Sequence, residues 1–329
     1  MIEFEYNNFV YQFDENYKDQ KELFFIKKTD SPQNYDELYH YYSLNKNGVS
    51  SLVKSYIFAN HPEDFNDPYD CCRDLISYEK TPWNEILDLN DNFFDSDKLK
   101  LLYESSDPKD KQKLYDHLNF LIFNVIYLKV GIFCLTSRND SIEMWSYYTN
   151  HRGFVLKFKM DKLPNNYWGP FPINYAKQFN PINYSIFKKA SFIFQSNIKA
   201  SCWEPENESR IIFYGPNTMK IPFRDTPNSH DRKFYYDRSS ITEIILGYNF
   251  FEIHEYDLSK STIDKAYVTL KVNKKFKRKV LRHVLDNKIP VSMIRIRRED
   301  SFTIKPHSIN IIKESRKKFI LEFTRSENE

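Results

Sequence analysis

Alternating and clustered apolar positions predict eight strands along the chain. The runs are rich in aromatic and β-branched side chains, and turn-forming residues separate them. The predicted strands are residues 24–27, 38–42, 55–59, 131–135, 153–159, 210–214, 241–246 and 291–297.

A periodicity close to four residues predicts four helices between these strands. They cover residues 44–54, 107–129, 142–149 and 260–285. In the last of them, Val272, Phe276, Val280 and Val284 form one apolar stripe, and lysines and arginines surround it. This pattern is typical of an amphipathic helix.

The order of these elements does not alternate regularly, which favours an α+β fold over a doubly wound sheet. We expect a single domain with a mixed or antiparallel sheet and flanking helices. Residues 1–35 are predicted to be an N-terminal extension packing on the core, 36–259 the core with the functional cleft, and 260–329 a basic extension of the same domain. The Pro- and Asn-rich residues 163–181 are predicted to form a surface loop.

Charge is distributed unevenly. The chain has 48 Lys and Arg against 45 Asp and Glu, a net charge of +3. Residues 260–329 alone contain 19 basic and 8 acidic residues, a net charge of +11. The simplest interpretation of the basic helix at 271–282 is a solvated helix face. The alternative is a surface for nucleic acid or another acidic partner.

Glycine and cysteine usage excludes several protein classes. The 6 glycines are far apart, so the glycine-rich loops of P-loop NTPases and Rossmann dehydrogenases are absent. The 4 cysteines form no C-x-x-C pair, and no H-E-x-x-H motif occurs. We therefore expect a reduced cytoplasmic protein without a metal. Neither a signal peptide nor a membrane-spanning run is evident, so no membrane partner is expected.

Two clusters in the first part of the chain are candidates for a cleft. His40 and Tyr41 lie in an aromatic strand, where a histidine usually has a structural role. Asn66, Asp67 and Asp70 follow the strand at 55–59. Their sequence, Asn-Asp-Pro-Tyr-Asp, is also good turn chemistry, so a structural turn is the alternative.

A third cluster follows the strand at 131–135. Thr136 and Ser137 stand at its end, and Trp145 lies in the next predicted helix, with Asp140 or Ser141 as its cap. Strand ends often present ligand-binding groups. The alternative is that the two hydroxyls lead into the helix and Trp145 belongs to the core.

The fourth cluster has the densest charge. In the segment Trp-Glu-Pro-Glu-Asn-Glu-Ser-Arg, strand alternation places Glu206, Glu208 and Arg210 on one side. Neighbouring carboxylates raise each other's pKa, and the guanidinium lowers it. The alternative interpretation is an exposed sheet edge that carries charges.

These motifs resemble a bacterial family catalogued as domain of unknown function 2971. The matching segments run in family order from about Leu38 to Ile304, and the family supplies no activity. They are LYHYYSL, EDFNDPYD, GIFCLTSRND, EMWSYYTNHRGFVLKF, KASCWEPENESRII, ITEIILG and IPVSMIRIRREDSFTI.

More distantly, three elements resemble the ADP-ribosyltransferase arrangement. They are an aromatic strand with a polar anchor, a strand ending in Leu-Thr-Ser, and a Glu-x-Glu that leads into an apolar strand. The resemblance implies NAD as a substrate and an unknown macromolecular acceptor. By position, His40 takes the adenosine side of NAD, Thr136 and Ser137 take the nicotinamide pocket, and Glu208 takes the nicotinamide ribose. Glu206 would then orient the acceptor. His40 stands where strict Glu-x-Glu members usually carry Arg.

Two other functions stay open. In a metal-dependent nuclease or phosphoesterase, a divalent ion would be held by Asp67, Asp70, Glu206 and Glu208. No Lys or His stands at a fixed spacing beside the Glu-x-Glu to support it. In a non-catalytic module, the aromatic cleft and the basic helix would bind a nucleotide, RNA or a protein. By analogy, the transferase hypothesis suggests a toxin or a phage-defence effector.

Overall fold

The computed structural model describes residues 1–14, 24–29, 35–90, 93–125, 130–164, 166–214, 232–251, 261–262, 265–296 and 303–324. The chain divides into two compact units, each built from separate stretches of sequence. Unit 1 comprises Met1–Gln33, Phe58–Cys134 and Asn165–Phe234. Unit 2 comprises Asn34–Ile57, Leu135–Pro164 and Tyr235–Glu329. This division differs from the single domain with three consecutive stretches that the sequence suggested.

Strands and helices occur in both units. In chain order, the strands are β1 Ile2–Tyr6, β2 Phe9–Phe13, β3 Phe24–Lys28, β4 Glu37–Tyr42, β5 Tyr56–Phe58, β6 Ile76–Ser77, β7 Val130–Thr136, β8 Phe154–Lys159, β9 Trp168–Pro172, β10 Asn174–Ala176, β11 Ile182–Asn183, β12 Ile198–Ala200, β13 Glu208–Tyr214, β14 Lys233–Tyr235, β15 Ile241–Leu246, β16 Lys265–Lys271, β17 Val291–Ile296, β18 Ile304–Lys313 and β19 Lys318–Thr324. The α-helices are α1 Lys46–Lys54, α2 Trp83–Asn90, α3 Ser96–Glu104, α4 Pro108–Val125, α5 Ile142–Thr149, α6 Tyr184–Phe187, α7 Ser191–Gln195 and α8 Lys275–Asp286.

Unit 1 packs strands and helices around a large aromatic core. Strands β1, β2 and β3 form an antiparallel meander, β9 pairs antiparallel with β13, and β10 pairs parallel with β12. The meander contributes Tyr11 and Phe24 to the core, where Phe24 meets Trp168 edge to face at 5.0 Å. Apolar positions of α4, including Leu118 and Leu121, complete this core.

Unit 2 is built on a mixed sheet. Its strand order is β16, β19, β18, β17, β15, β8, β4. Strands β15 and β17 are parallel, and the other pairs in this order are antiparallel. Helix α5 places Met144 and the fully buried Trp145 against Tyr41, Val155 and Ile245 of this sheet.

All eight predicted strands are confirmed, with ends shifted by at most a few residues. Helix α5 has the predicted bounds, and its N-cap is Ser141, whose hydroxyl accepts from the Met144 N–H. Helix α1 begins two residues late because the Asn45 side chain caps it. Helix α4 confirms the predicted helix from 108 to 125, and residues 126–129 lie outside the described residues.

Two predictions are wrong. The predicted helix at 260–285 is in part strand β16, and α8 begins only at Lys275. In β16 the buried positions Ala266, Val268 and Leu270 alternate with more exposed ones, a period of two that the later helical stripe obscured. The predicted surface loop at 163–181 contains β9 and β10 instead, and its aromatic residues Tyr167, Trp168 and Phe171 are buried.

The α+β class is confirmed, because helices accompany a large mixed sheet. Within the described part of the chain, no helix is both long and apolar enough to cross a membrane.

Candidate functional site

Five charged side chains of unit 1 form one buried network. It links two parts of the chain that are distant in sequence, residue 70 and residues 199–210. The members are Asp70, Lys199, Glu206, Glu208 and Arg210, each at most 8% exposed. Three carboxylates face two cations, so the network has a formal charge of −1.

The local backbone brings both glutamates to the same lysine. Strand β12 carries Lys199, and a 3₁₀ helix from Ser201 to Glu206 follows it. Asn207 then adopts a left-handed conformation with φ 43°, which asparagine tolerates, and β13 begins at Glu208. The Lys199 Nζ lies 2.6 Å from Glu206 Oε2 and 2.8 Å from Glu208 Oε2.

Glu208 is held on both of its oxygens. Its Oε1 accepts from Arg210 Nε at 2.6 Å, and its Oε2 accepts from Lys199 Nζ. Burial alone would raise the pKa of Glu208, but the charges of Arg210 and Lys199 outweigh it and lower the pKa to about 2. Glu208 is therefore a fixed anion at every physiological pH.

Arg210 is the centre of the network. Its guanidinium makes a bidentate pair with Asp70, and Nη1 also donates to the Ser196 carbonyl at 2.7 Å. It stacks over the Phe65 ring at 5.0 Å. Burial opposes its charge, but the carboxylates of Asp70 and Glu208 raise the pKa of Arg210 well above its usual value. The guanidinium stays charged.

Lys199 also keeps its charge despite burial. Desolvation lowers its pKa, but the Glu208 and Glu206 carboxylates outweigh that effect and raise the pKa above its usual value. The ammonium also lies 5.0 Å from the centre of the Trp203 ring, a cation–π distance. Lys199 therefore cannot serve as a neutral amine nucleophile in this arrangement.

Two thiols border the network. Burial raises the pKa of both Cys71 and Cys134 well above the usual value, and the nearby carboxylates raise it further. The thiol of Cys134 hydrogen-bonds to Glu208. Both thiols are therefore neutral donors rather than thiolate nucleophiles.

A pocket of about 330 Å³ adjoins this network in unit 1. Four carboxylates and one guanidinium face it, so it favours a positively charged group over an anionic one such as a diphosphate. The lining residues are Pro62, Glu63, Phe65, Asp67, Pro68, Asp70, Cys71, Cys72, Arg73 and Asp74.

The Asn-Asp-Pro motif is both a turn and part of this pocket. Asp67 Oδ1 accepts from the Tyr69 N–H at 2.9 Å, as the turn interpretation expects. Its buried Oδ2 has no hydrogen-bond partner among the described residues. Asn66 is exposed and does not line the pocket.

The remaining predicted site residues belong to unit 2, where their side chains make hydrogen bonds and packing contacts with neighbouring residues. The Tyr41 hydroxyl donates to the Arg138 carbonyl at 3.2 Å, and its ring meets Trp145 at 5.1 Å. The His40 ring lies edge to face with Tyr42 at 4.5 Å.

Trp145 is fully buried, and its Nε1 donates to the Asn139 carbonyl at 2.8 Å. Thr136 is buried too, and its Oγ1 accepts from the Arg138 N–H at 3.0 Å. Ser137, the next residue, is exposed. The core interpretation of Trp145 is thus confirmed.

The structure brings together Asp70, Glu206, Glu208 and Arg210 as one cluster. The interpretation of the Glu-x-Glu segment as an exposed edge is wrong, because its carboxylates pair with cations inside unit 1. Sequence reasoning missed Lys199 and Tyr175, whose hydroxyl accepts from the Glu208 N–H at 2.8 Å. A lysine within an apolar stretch just before the acidic segment was the available signal for Lys199.

A metal centre has little support in this arrangement. Among the residues described, no three His, Cys, Asp or Glu side chains are grouped so that they could hold an ion. The cations of Lys199 and Arg210 occupy the positions that a divalent ion would take between the carboxylates.

Comparison with known proteins found no relative of this chain. No protein-family model, curated protein or solved structure matches the chain.

Proposed function

We propose that this protein is a cytoplasmic enzyme with an ADP-ribosyltransferase-like core that cleaves NAD and transfers ADP-ribose to a macromolecule. The single observation that supports it most is the state of Glu208. This carboxylate is ionised, with a pKa of about 2, and two cations fix its position at the start of β13.

The chemistry explains why such a carboxylate is useful. Breaking the bond between nicotinamide and ribose develops positive charge on the sugar. A pre-oriented anion stabilises that charge more than it stabilises the neutral sugar, so it lowers the barrier. Because Glu208 is held rigidly, little reorganisation energy is spent when the charge forms.

In the proposed mechanism the positive charge of Lys199 occupies the place that the sugar cation of the substrate would take. Its ammonium bridges Glu206 and Glu208, where the developing sugar cation needs negative charge. NAD would displace the buried Lys199 side chain and take over its contact with Glu208, and Arg210 would keep the carboxylate in place. Glu206 would then be available to orient the acceptor.

Within unit 1 the support comes from Glu208 alone, because the acidic pocket beside the network suits the positively charged nicotinamide ring and would repel the diphosphate of NAD. The resemblance also assigns NAD contacts to His40, Thr136 and Ser137, which belong to unit 2. Those roles stay predictions.

The test is release of nicotinamide from labelled NAD in the presence of a cell lysate, with the label also followed into macromolecules. Wild type and Glu204→Gln, which changes an exposed carboxylate of the same segment, should both release nicotinamide. Glu208→Gln should lose at least about a hundredfold in rate, as for removal of one electrostatic stabiliser. Absence of release by wild type, or full activity of a folded Glu208→Gln protein, would contradict the proposal.

If Glu208→Gln fails to fold, Lys199→Met provides a second test. A folded Lys199→Met protein should bind NAD more tightly, because the competing ammonium is gone. Unchanged NAD affinity in that variant would argue against displacement of the lysine.

The second candidate is the metal-dependent nuclease or phosphoesterase. A divalent ion would there have to displace Lys199 from Glu206 and Glu208, and the buried Asp67 Oδ2, which has no hydrogen-bond partner among the described residues, would be a further ligand atom. Phosphodiester cleavage that requires Mg²⁺ or Mn²⁺ and is abolished in Asp67→Ala would favour this candidate. Nicotinamide release without added metal would favour the transferase.

A toxin or phage-defence role extends the transferase proposal. Expression of the wild-type chain should then slow bacterial growth, and Glu208→Gln should relieve the effect. Equal growth with both proteins at equal abundance would count against this role.

A further inference from the structure

A second feature of the molecule, in unit 2, combines positive charges from two distant segments. Strand β16 ends where α8 begins, and the β18–β19 turn lies beside this junction. Val272 N–H donates to the Lys317 carbonyl at 2.7 Å, which joins the two segments directly. We call the following six residues the basic patch: Lys271, Lys274, Lys275, Arg316, Lys317 and Lys318.

The basic patch is exposed, and nearly all of the charges around it are positive. All six side chains are exposed. Segments 271–282 and 313–318 together contain 11 basic residues and one acidic residue, Glu314. Glu314 pairs with Lys318 at 2.5 Å, so it neutralises one member of the patch.

Several lysines of the basic patch lie at positions where their positive charge destabilises the folded chain. Lysines at the start of α8 stand at the positive end of the helix dipole, and its first turn has no acidic residue. The N-cap residue Lys274 provides no side-chain cap. Lys271 is directly opposite Lys318 in the β16–β19 pair, a like-charge pairing that destabilises a sheet.

These unfavourable placements indicate that the charges serve a ligand rather than the fold. An extended polyanion would relieve the repulsion at all of these positions at once, because its charges are spaced along a chain. A single phosphate would reach only part of a surface assembled from a helix start and a separate turn.

We propose that the basic patch binds the phosphate backbone of a nucleic acid without reading its sequence. In the described residues, no large hydrophobic side chain is exposed in α8 or between Glu314 and Lys318. The patch therefore offers neither aromatic platforms for stacking unpaired bases nor apolar side chains for insertion into a bilayer. The remaining possibility is contact with the phosphates of a duplex, which lysine and arginine side chains make in many protein–DNA complexes.

The test is fluorescence anisotropy of the full chain with a short random-sequence DNA duplex over a series of salt concentrations. The patch variant is Lys275→Gln, Arg316→Gln and Lys317→Gln combined. The matched control neutralises three other exposed lysines, with Lys80→Gln, Lys109→Gln and Lys162→Gln combined. Thermal melting of each protein verifies that it is folded.

Wild type and the control should bind with an affinity that falls steeply with salt. The patch variant should bind at least about tenfold more weakly at low salt. The slope of log affinity against log salt should also decrease, by about 0.9 for each phosphate that the variant no longer neutralises.

Three outcomes would overturn the proposal. They are no salt-dependent binding by wild type, an equal reduction in affinity in the patch variant and the control, and binding to vesicles containing phosphatidylserine without binding to the duplex. The proposal is independent of the NAD chemistry, so failure of one does not decide the other.

Discussion

The Arg210 guanidinium and the Asp70 carboxylate form a bidentate ion pair between segments 140 residues apart. The Nη1–Oδ1 distance is 2.8 Å and the Nη2–Oδ2 distance is 2.6 Å. Both side chains are almost fully buried, 1% and 3% exposed. Water therefore cannot replace either partner when the other is removed, and the network depends on this pair.

Asp70→Asn should destabilise unit 1 strongly. The substitution leaves the buried Arg210 charge without its bidentate partner, which typically costs about 3–5 kcal/mol. Arg210→Lys should also destabilise, because an ammonium cannot reproduce the two parallel hydrogen bonds. The measurement is the free energy of unfolding from urea titration.

Lys100→Gln serves as the control for this prediction. It removes an exposed pair with Glu104 at 3.9 Å, which should change the free energy of unfolding by less than about 1 kcal/mol. Equal effects of Asp70→Asn and Lys100→Gln would show that the buried network stabilises the protein no more than an exposed ion pair does.

The lowered pKa of Glu208 should make the free energy of unfolding depend on pH in the acidic range. Its pKa is lowered from the usual 4.5 to about 2 in the folded protein, so the folded state binds its proton only at lower pH than the unfolded state does. The stabilisation is complete above about pH 4.5 and disappears as the pH falls toward 2. The difference in unfolding free energy between wild type and Glu208→Gln should therefore be largest at neutral pH and shrink below about pH 4.5.

Urea titrations of both proteins at about pH 7, 5 and 3 measure this difference. The exposed Glu204→Gln substitution provides the baseline for the other titrating groups. A difference that stays constant across this series would mean that the Glu208 pKa is not lowered in the folded chain.

Eight of the strands in the described residues were predicted from the sequence, because apolar runs with period two or continuous apolar stretches mark them. For β15 the predicted and observed bounds coincide, from Ile241 to Leu246. Strands β10 and β12, of three residues each, escaped prediction, and so did the longer β18 and β19. In β18 the polar and proline positions Lys305, Pro306 and His307 interrupt the apolar alternation. Amphipathic α2 and α3 were missed within a stretch dense in Asp and Asn.

The candidate site was predictable only in part. Alternation correctly placed Glu208 and Arg210 on one face of a strand, where their side chains meet at 2.6 Å. It could not reveal that Lys199 and Asp70 come to the same place, because long-range pairing has no local signature. Nor could it show that the segment is buried, since charged residues are almost never fully buried unless paired.

A hydrogen-bonded triad secures the N-terminal meander and offers a third prediction. The Tyr11 hydroxyl donates to Asn197 Oδ1 at 2.5 Å and accepts from Asn174 Nδ2 at 3.0 Å. Tyr11→Phe keeps the ring in the core but leaves two buried amide groups without this partner. We expect the free energy of unfolding to fall by about 1–3 kcal/mol.

The matched control is Tyr69→Phe, which removes a hydroxyl from a residue that is 62% exposed. That change should alter stability by no more than about 0.5 kcal/mol. If Tyr11→Phe were equally neutral, the triad would not hold the meander in place.

Gly153 offers a fourth prediction, for unit 2. It precedes β8, and a Cβ at this position would lie 2.2 Å from the Tyr42 carbonyl oxygen and 2.8 Å from Thr149 Cβ. The oxygen belongs to the backbone of the neighbouring strand β4, so it cannot turn away as a side chain would. Gly153→Ala should therefore cost about 1–3 kcal/mol or more, as overpacking does. Thermal melting should show a clear drop for this variant and little change for the exposed neighbour Arg152→Ala. Equal melting temperatures for the two variants would mean that β4 and β8 do not approach as closely at Gly153 as the structure describes.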